Sequence, residues 1–263
     1  MKISSITKLK KLYKVTLENK DEFYLHEDTL IKYNFFKNKE VTEQELIDVQ
    51  VYDKNESAFT TALNYLSYGM KSEYEIGEYL LKKEYLEENI VFAIKKLRKH
   101  KYIDDFNYAQ TYTRDRFLSK LKGPEYIRKQ LKEKKIQDDY IEKAIIDICI
   151  SKQVNDNVYR LISKEFNKSS LPENKKIQKI TTKLYTNGYS FDIIKSVFTQ
   201  FLSEHNSEET DKLIIVKYYE KAYSKLSRKY DDKYKLKQKI IEKLMRDGFS
   251  YDDIKDYLSQ IEF

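Results

Sequence analysis

The fold is decided by residues 173–201, which read ENKKIQKITTKLYTNGYSFDIIKSVFTQF. Ile180 and Leu184 lie four positions apart, so they share one face of a helix. The Asn187-Gly188 pair ends that helix, because both residues tolerate the left-handed backbone that closes many helices. Apolar residues then recur at helical spacing after the turn. The stretch therefore predicts two amphipathic helices joined by a tight turn.

The same apolar spacing occurs four times along the chain. In each copy an anchor leucine has an isoleucine four residues before it and apolar or aromatic residues five, ten, fourteen and seventeen after it. The anchors are Leu80, Leu131, Leu184 and Leu244. They are 51, 53 and 60 residues apart (131−80, 184−131, 244−184), a period typical of helical repeats. With one more helix before each pair, the pattern predicts a mainly α protein whose tandem three-helix repeats form an elongated curved solenoid.

Helix-capping signals support the same division. Two S-x-x-E capping boxes are formed by Ser72 with Glu75 and by Ser170 with Glu173. The other predicted helix starts are Gly123-Pro124, Ser190, Asp231 or Asp232, and Ser250. An acidic residue also recurs eight positions after each anchor, where it would stabilise the first turn of the third helix through the helix dipole. These residues are Glu88, Asp139, Asp192 and Asp252.

Residues 1–57 have a different pattern. Short runs of alternating apolar and polar residues are separated by an Asn19-Lys20-Asp21 turn, which predicts a small β-hairpin or meander. Short helices are expected after it, one of them beginning at Thr42. The predicted parts are the β-rich segment 1–57 and the repeats 58–100, 102–150, 152–203 and 208–263.

The chain is basic, with a formal net charge of +7 and a pI near 9.0. A positive field favours an anionic partner such as nucleic acid, although a lysine-rich composition alone would give the same charge. The excess belongs to the repeats, because residues 1–57 carry 10 Lys against 11 acidic residues. Hydrophobic residues make up 40% of the chain, which indicates a folded protein and not a disordered one.

Several features bear on the compartment. Cys149 is the only cysteine, so no disulfide framework exists and a core position is expected for this thiol. No apolar run approaches the ~18 residues of a membrane span. The N-terminal stretch MKISSITKLKKLYKV lacks the continuous apolar core of a signal peptide. We therefore expect a cytoplasmic protein without membrane contact. We also expect it to be a monomer.

The sequence offers little support for catalysis. His26, His100 and His205 lie far apart and lack the spacing of metal ligands. Asp104-Asp105 is the most suggestive acidic pair. Adjacent residues on a helix do not face each other, however, so N-capping explains this pair better. We therefore expect a non-enzymatic protein without a cofactor or a metal ion.

Lysine and arginine are concentrated in three stretches. Residues 95–101 carry five basic residues and no acid, and residues 111–135 and 225–246 each carry nine against three acids. Stacked repeats would align such clusters into a stripe that contacts phosphate backbones, although long basic side chains also form ordinary solvated helix faces. The candidate contact residues are Arg114, Arg116, Lys120, Lys122, Arg128, Lys129, Lys95, Lys96 and Arg98. For Arg116, an internal pair with Asp115 or Glu125 is the structural alternative.

Three motifs carry a family resemblance. They are Ala62-Leu63-x-x-Leu66-Ser67, then Ser72-Glu73-x-Glu75-Ile76-x-x-x-Leu80, and then Tyr102-Ile103-Asp104-Asp105-Phe106-x-x-Ala109. With these motifs and Gly123 at the start of a helix, the sequence resembles the RecX family over nearly its whole length. The resemblance implies a regulator that binds the recombinase RecA and its filaments on single- or double-stranded DNA.

The same resemblance implies a mode of action. Such a protein lies in the groove of the filament and limits filament extension, strand exchange and the ATPase of RecA, in homologous recombination, DNA repair and the SOS response. The alternative is a generic basic helical-repeat adaptor that binds nucleic acid or protein without RecA specificity. A nuclease that uses Asp104 and Asp105 is the least favoured hypothesis.

Overall fold

The computed structural model describes residues 1–10, 12–205 and 208–261, with side chains from residue 214 onwards in the last range. These residues form a three-stranded sheet, thirteen α-helices and one turn of π-helix. The chain divides into two compact units. They are Met1–Thr111 with Leu131–Ile141, and Tyr112–Gln130 with Glu142–Phe263. The mainly helical class and the tandem three-helix repeats predicted from the sequence are confirmed.

The first unit begins with an antiparallel meander. Its strands are β1 (Ile3–Lys8), β2 (Tyr13–Leu17) and β3 (Glu22–Leu25), paired in that order. Between β2 and β3, Lys20 has a left-handed φ of 71°. The Leu17 N–H closes this turn by donating to the Asp21 carbonyl oxygen at 2.9 Å. The pairing of the three strands confirms the predicted β-meander. Val15 is fully buried and Leu17 is 2% exposed, so the sheet contributes to the hydrophobic core.

One long helix connects two hydrophobic clusters of the first unit. After the short α1 (Glu27–Lys32), α2 spans Glu43–Leu66. Val49 packs with the sheet, whereas Ala58 and Ala62 pack with the helices that follow. The expectation of a short helix here was wrong, because neither glycine nor proline interrupts the segment and its buried face continues. The boundary placed after residue 57 therefore falls inside one helix.

With the end of α2 as the first helix of the first repeat, the remaining helices complete three per repeat. The first unit contains α3 (Glu73–Leu81), α4 (Glu87–Lys99) and most of α5 (Asp105–Arg114). Parts of α6 (Pro124–Glu133) and α7 (Asp138–Ile148) belong to each unit. The second unit continues with α8 (Ser151–Lys168), α9 (Glu173–Thr186), α10 (Phe191–Glu204), α11 (Glu208–Leu226), α12 (Lys233–Asp247) and α13 (Tyr251–Ser259). The second helices of the repeats, which carry the anchors, are thus α3, α6, α9 and α12.

All four anchor leucines are buried, and the same turn follows each of them. Leu80, Leu131 and Leu244 are fully buried and Leu184 is 2% exposed. Four residues after each anchor the backbone is left-handed. The φ values are 64° at Glu84, 56° at Lys135, 90° at Gly188 and 108° at Gly248. The next N–H along the chain donates to the anchor's carbonyl oxygen at 3.2 Å in every repeat, as in the common C-terminal motif of helices.

Most of the predicted helix caps are confirmed. They are Thr42 on α2, the Ser72–Glu75 box on α3, Gly123 before α6, Ser190 on α10, Asp232 on α12 and Ser250 on α13. The box predicted for Ser170 and Glu173 is wrong, because α9 starts at Glu173 and its N-cap is Pro172, which makes no side-chain cap bond. Proline holds Leu171 in an extended conformation, so the helix cannot begin from Ser170.

The start of one second helix contacts the turn that ends the next in three places. The bonds are Ser72 Oγ to Lys134 O at 3.3 Å in the first unit, and Gly123 N to Asn187 O at 2.8 Å and Asn174 Nδ2 to Gly248 O at 3.1 Å in the second. Helix ends leave backbone N–H and carbonyl groups without partners inside the helix. These contacts give some of those groups partners in the neighbouring repeat.

Candidate nucleic-acid interface

The basic segment that holds most of the candidate residues, residues 114–129, begins where α5 ends. Helix α5 ends at Arg114 and continues as one turn of π-helix, Asp115–Ser119. The ring of Phe117 anchors this turn, since it is fully buried. The side-chain amide of Asn157 donates to the Phe117 carbonyl oxygen at 3.3 Å. The buried ring and this bond thus fix the backbone that carries the basic side chains.

Three of the candidate cations in this segment face solvent. Arg114, Lys120 and Lys129 are exposed. Within the part of the chain that the structure describes, none of them forms an ion pair or a side-chain hydrogen bond. No carboxylate of the described residues therefore compensates their charges. Exposed cations of this kind neutralise phosphates and release counterions when they bind a nucleic acid.

Arg116 is half-buried and contacts its own helix. Its guanidinium lies 4.9 Å from the centre of the Tyr112 ring and 3.6 Å from the Asp115 carboxylate. The Tyr112 side chain raises the pKa of this guanidinium above its usual value. The Nε atom is buried without a hydrogen-bond partner. The structure thus shows the internal ion pair between Arg116 and Asp115. No contact between Arg116 and Glu125 is seen among the described residues.

Lys122 is also held within the second unit. Its Nζ donates to the Asn187 side-chain oxygen at 2.7 Å and lies 4.8 Å from the centre of the Tyr126 ring. This bond reinforces the backbone contact between Gly123 and Asn187. Lys122 therefore has a structural role that its position in a basic stretch does not reveal.

Arg128 forms the strongest ion-pair network of the segment. Its guanidinium donates to both oxygens of Glu142, at 2.6 and 2.9 Å, and lies 2.5 Å from Glu125. The hydrogen bonds to Glu142 and Glu125 raise the pKa of Arg128 above its already high ordinary value. Two carboxylates thus compensate this charge inside the protein, so Arg128 contributes less than the exposed cations to an external electrostatic contact.

The candidates of α4 lie in the first unit and differ among themselves. Lys95 is exposed and has no ion pair in the described residues. The Lys96 Nζ donates to Glu56 at 2.6 Å, and the Arg98 guanidinium donates to Glu73 at 2.8 Å. Of these three residues, Lys95 alone presents an uncompensated charge.

Asp104 and Asp105, the acidic pair singled out in the sequence, accept hydrogen bonds from backbone N–H groups at the starts of helices. Asp104 accepts hydrogen bonds from the N–H groups of Phe106 and Asn107 at 2.9 and 3.0 Å. Asp105 accepts from the Glu73 N–H at 3.0 Å, and burial raises its pKa. No group of three or more potential metal-ligating side chains occurs within the described ranges.

Cys149 is half-buried, and burial raises its pKa to about 12, so the thiol stays protonated at neutral pH.

Comparison with known proteins identifies the family. Models of the first, second and third three-helix domains of RecX match residues 58–97, 104–145 and 214–258. The chain is 34% identical to the regulatory protein RecX of Listeria monocytogenes serotype 4a (strain HCC23) over 270 residues, which cover 100% of this chain and 97% of that protein. This chain belongs to the RecX family.

Other RecX proteins give the same result. The regulatory protein RecX of Bacillus subtilis (strain 168) is 32% identical, with 100% of this chain and 98% of that protein covered. A crystal structure of regulatory protein RecX matches with a TM-score of 0.62 and 31% identity, over 75% of this chain and 98% of that one. RecX from Lactobacillus salivarius matches with a TM-score of 0.53 and 32% identity, over 57% and 97%.

The RecX domain models match three of the four repeats. The third model matches the fourth repeat predicted from the sequence, so α8, α9 and α10 lie between the second and third RecX domains. No helix in the described residues is both long enough and apolar enough to cross a membrane.

Sequence reasoning missed which basic residues are paired internally. The Glu125–Arg128 pair has i,i+3 spacing and could have been anticipated. The Arg128–Glu142 pair joins residues fourteen positions apart on two helices, and no local signal reveals it. A cluster of lysines on α8 and α9 was also missed, because it lies outside the three stretches with the highest excess of basic residues.

Proposed function

We propose that this RecX-family protein binds RecA and RecA–DNA filaments and restrains filament extension, strand exchange and RecA's ATPase. It acts without catalysis of its own, as a cytoplasmic monomer. Similarity to regulatory RecX proteins over the entire chain supports this function. The capping role of Asp104 further supports a non-enzymatic protein, since the most suggestive acidic residue has a structural task.

The observation that carries the proposal is the uncompensated charge at Arg114, Lys120 and Lys129. These side chains are exposed within a segment that the buried Phe117 and the Gly123–Asn187 contact hold in place. A fixed array of cations suits a regular array of phosphates, because little side-chain and backbone freedom is lost on binding. DNA within a filament is such an array. We therefore assign the main electrostatic contact to these three residues.

DNA-dependent ATP hydrolysis by RecA tests the function. This protein, at less than one copy per ten RecA subunits, is present while RecA assembles on single-stranded DNA. The proposal predicts that ATP hydrolysis falls well beyond the fraction of RecA that could be bound one to one, because filament extension is blocked. An unchanged rate, with DNA binding intact in a separate titration, would favour the generic nucleic-acid adaptor.

A further inference from the structure

A basic groove lies between α8 and α9 of the second unit. Its volume is about 480 Å³. Its polar lining includes Lys168, Lys176, Lys179 and Lys183, with the hydroxyl groups of Ser169 and Ser170. The one carboxylate in the lining is Glu165, whose Oε2 lies 2.9 Å from the Lys183 Nζ. Four ammonium groups against one carboxylate leave a strong positive excess inside a concave site.

Lys176 is the most unusual member of this groove. It is only 4% exposed, and its Nζ lies 4.6 Å from the centre of the Phe166 ring. Among the described residues the Lys176 ammonium group forms no hydrogen bond and no ion pair. The Lys176 ammonium group has three donors, and the face of the Phe166 ring satisfies them only in part. An anion in the groove would supply the missing acceptors.

Comparison with the fourth repeat shows that packing does not require a lysine at this position. Helices α9 and α12 both begin eleven residues before their anchors (184−173 and 244−233). Lys176 and Leu236 therefore occupy equivalent positions, eight residues before the anchor, and Leu236 is 6% exposed. A core position that is satisfied by leucine in one repeat carries a charge in the other. Such a local conflict with packing is expected at functional sites.

We propose that this groove binds a phosphate group, supplied by the backbone of single-stranded nucleic acid. The N-cap residue of α9, Pro172, makes no side-chain bond to the first N–H groups, although the first turn of the helix already carries the carboxylate of Glu173. A shallower depression on α8 adjoins the groove through Lys168 and includes Arg160 and Lys164. This basic surface is larger than one free phosphate needs, and it suits consecutive phosphates of a strand.

The site is independent of the proposed action on RecA. It lies in the repeat between the residues that match the second and third RecX domain models. Phosphate and oligonucleotide binding can be measured with this protein alone. Failure of the phosphate site would therefore leave the filament proposal intact, and the reverse also holds.

The test compares Lys176→Met with Lys195→Met in the full-length protein. Lys195 lies on α10, is exposed, and has no ion pair in the described residues, so both variants lose one charge. Inorganic phosphate at constant ionic strength should raise the melting temperature of the parent and of Lys195→Met, but not that of Lys176→Met. Fluorescence anisotropy with a labelled twenty-residue oligothymidylate should show at least threefold weaker binding by Lys176→Met alone. Should Lys176→Met fail to fold, the exposed wall residue Lys179 is replaced by Gln in the same comparison.

The outcomes separate the possible ligands. Loss of both the phosphate effect and the oligonucleotide affinity supports the proposal. Loss of the phosphate effect with unchanged oligonucleotide affinity assigns the groove to a free phosphate and overturns the nucleic-acid source. Equal behaviour of the two variants in both assays overturns the site altogether.

Discussion

Gly123 and Gly188 meet backbone to backbone. A Cβ atom on Gly123 would lie 2.2 Å from the Gly188 carbonyl oxygen. At this contact the Gly123 N–H donates to the Asn187 carbonyl oxygen at 2.8 Å, and the Glu125 N–H donates to the Gly188 carbonyl oxygen at 3.1 Å. The C-terminal turn of α9 thus provides acceptors for the first N–H groups of α6, which a helix leaves unpaired. No side chain fits between the two backbones.

Gly123→Ala should therefore lower the free energy of unfolding by about 1–3 kcal/mol, because the methyl group forces this contact apart. Gly77→Ala is the matched control. A Cβ there would meet only Ile90 and Ile94 at 3.8 and 3.9 Å, so alanine should stabilise α3 by up to about 1 kcal/mol. Urea unfolding of both variants measures the difference. If Gly77→Ala lost as much stability as Gly123→Ala, the close approach of the Gly123 and Gly188 backbones would be contradicted.

Lys135→Gly should raise the stability by about 0.5–1 kcal/mol. Lys135 is exposed and has a φ of 56° at the turn where two other repeats use glycine, and glycine adopts this backbone without steric cost. Lys129→Gly, inside α6, should instead cost about 1 kcal/mol. The melting temperatures of the two variants should therefore move in opposite directions. A fall with Lys135→Gly would show that the turn is not strained.

Glu75→Gln should change how stability depends on pH. Burial alone would raise the pKa of Glu75, but its bonds with the Lys134 ammonium and the Ser72 N–H outweigh burial and lower it below 4.5. A carboxyl with a lowered folded-state pKa stabilises the fold above its unfolded pKa. That contribution is lost as pH falls from about 4.5 through the folded value.

The variant should thus be less stable than the parent at pH 7 by about 1–3 kcal/mol, and the gap should close below pH 4.5. Chemical unfolding at a series of pH values from 7 to 3 measures it. A gap of constant size over that range would mean that the Glu75 charge contributes nothing.

Arg128→Gln should destabilise the protein by about 1–3 kcal/mol, because charge-assisted bonds to Glu125 and Glu142 are lost at a half-buried site. Lys129→Gln is the control, since the exposed neighbour has no such partner in the described chain and should change stability by less than about 0.5 kcal/mol. Thermal unfolding compares the two. If both variants were as stable as the parent, the ion pairs of Arg128 would contribute nothing to stability, and Arg128 would be available to contact a partner.

The sequence was informative where structure depends on local spacing. The buried Leu131 and the cap at Ser190 follow from helical periodicity and from the hydrogen bond that a serine can accept. The start of α9 was misplaced because the capping signal at Ser170 competes with the constraint from Pro172. The length of α2 was underestimated because one helix serves two hydrophobic clusters.

The candidate site was less predictable, because the availability of a charge depends on partners distant in sequence. Arg128 and Lys129 are neighbours in a basic stretch, yet Arg128 is paired with Glu142 from another helix and Lys129 is exposed. Lys176 lies in a helix whose charge pattern is unremarkable, and only its burial distinguishes it. Tertiary packing decides both cases.

We propose that the exposed cations of residues 114–129 carry the contact with RecA–DNA filaments. This proposal is tested most directly by titrating three proteins into RecA-catalysed, DNA-dependent ATP hydrolysis. They are the parent, the triple variant Arg114→Glu/Lys120→Glu/Lys129→Glu, and the control Lys10→Glu/Lys37→Glu/Lys54→Glu. The control residues are exposed and form no ion pairs in the described chain, so both triples change the net charge equally.

We predict that the parent and the control inhibit ATP hydrolysis at similar concentrations. The Arg114/Lys120/Lys129 variant should need at least tenfold more protein, and its inhibition should depend less on salt, because fewer counterions are released per complex. Equal inhibition by both triple variants would contradict the account, since the contact would then depend on net charge and not on these three residues.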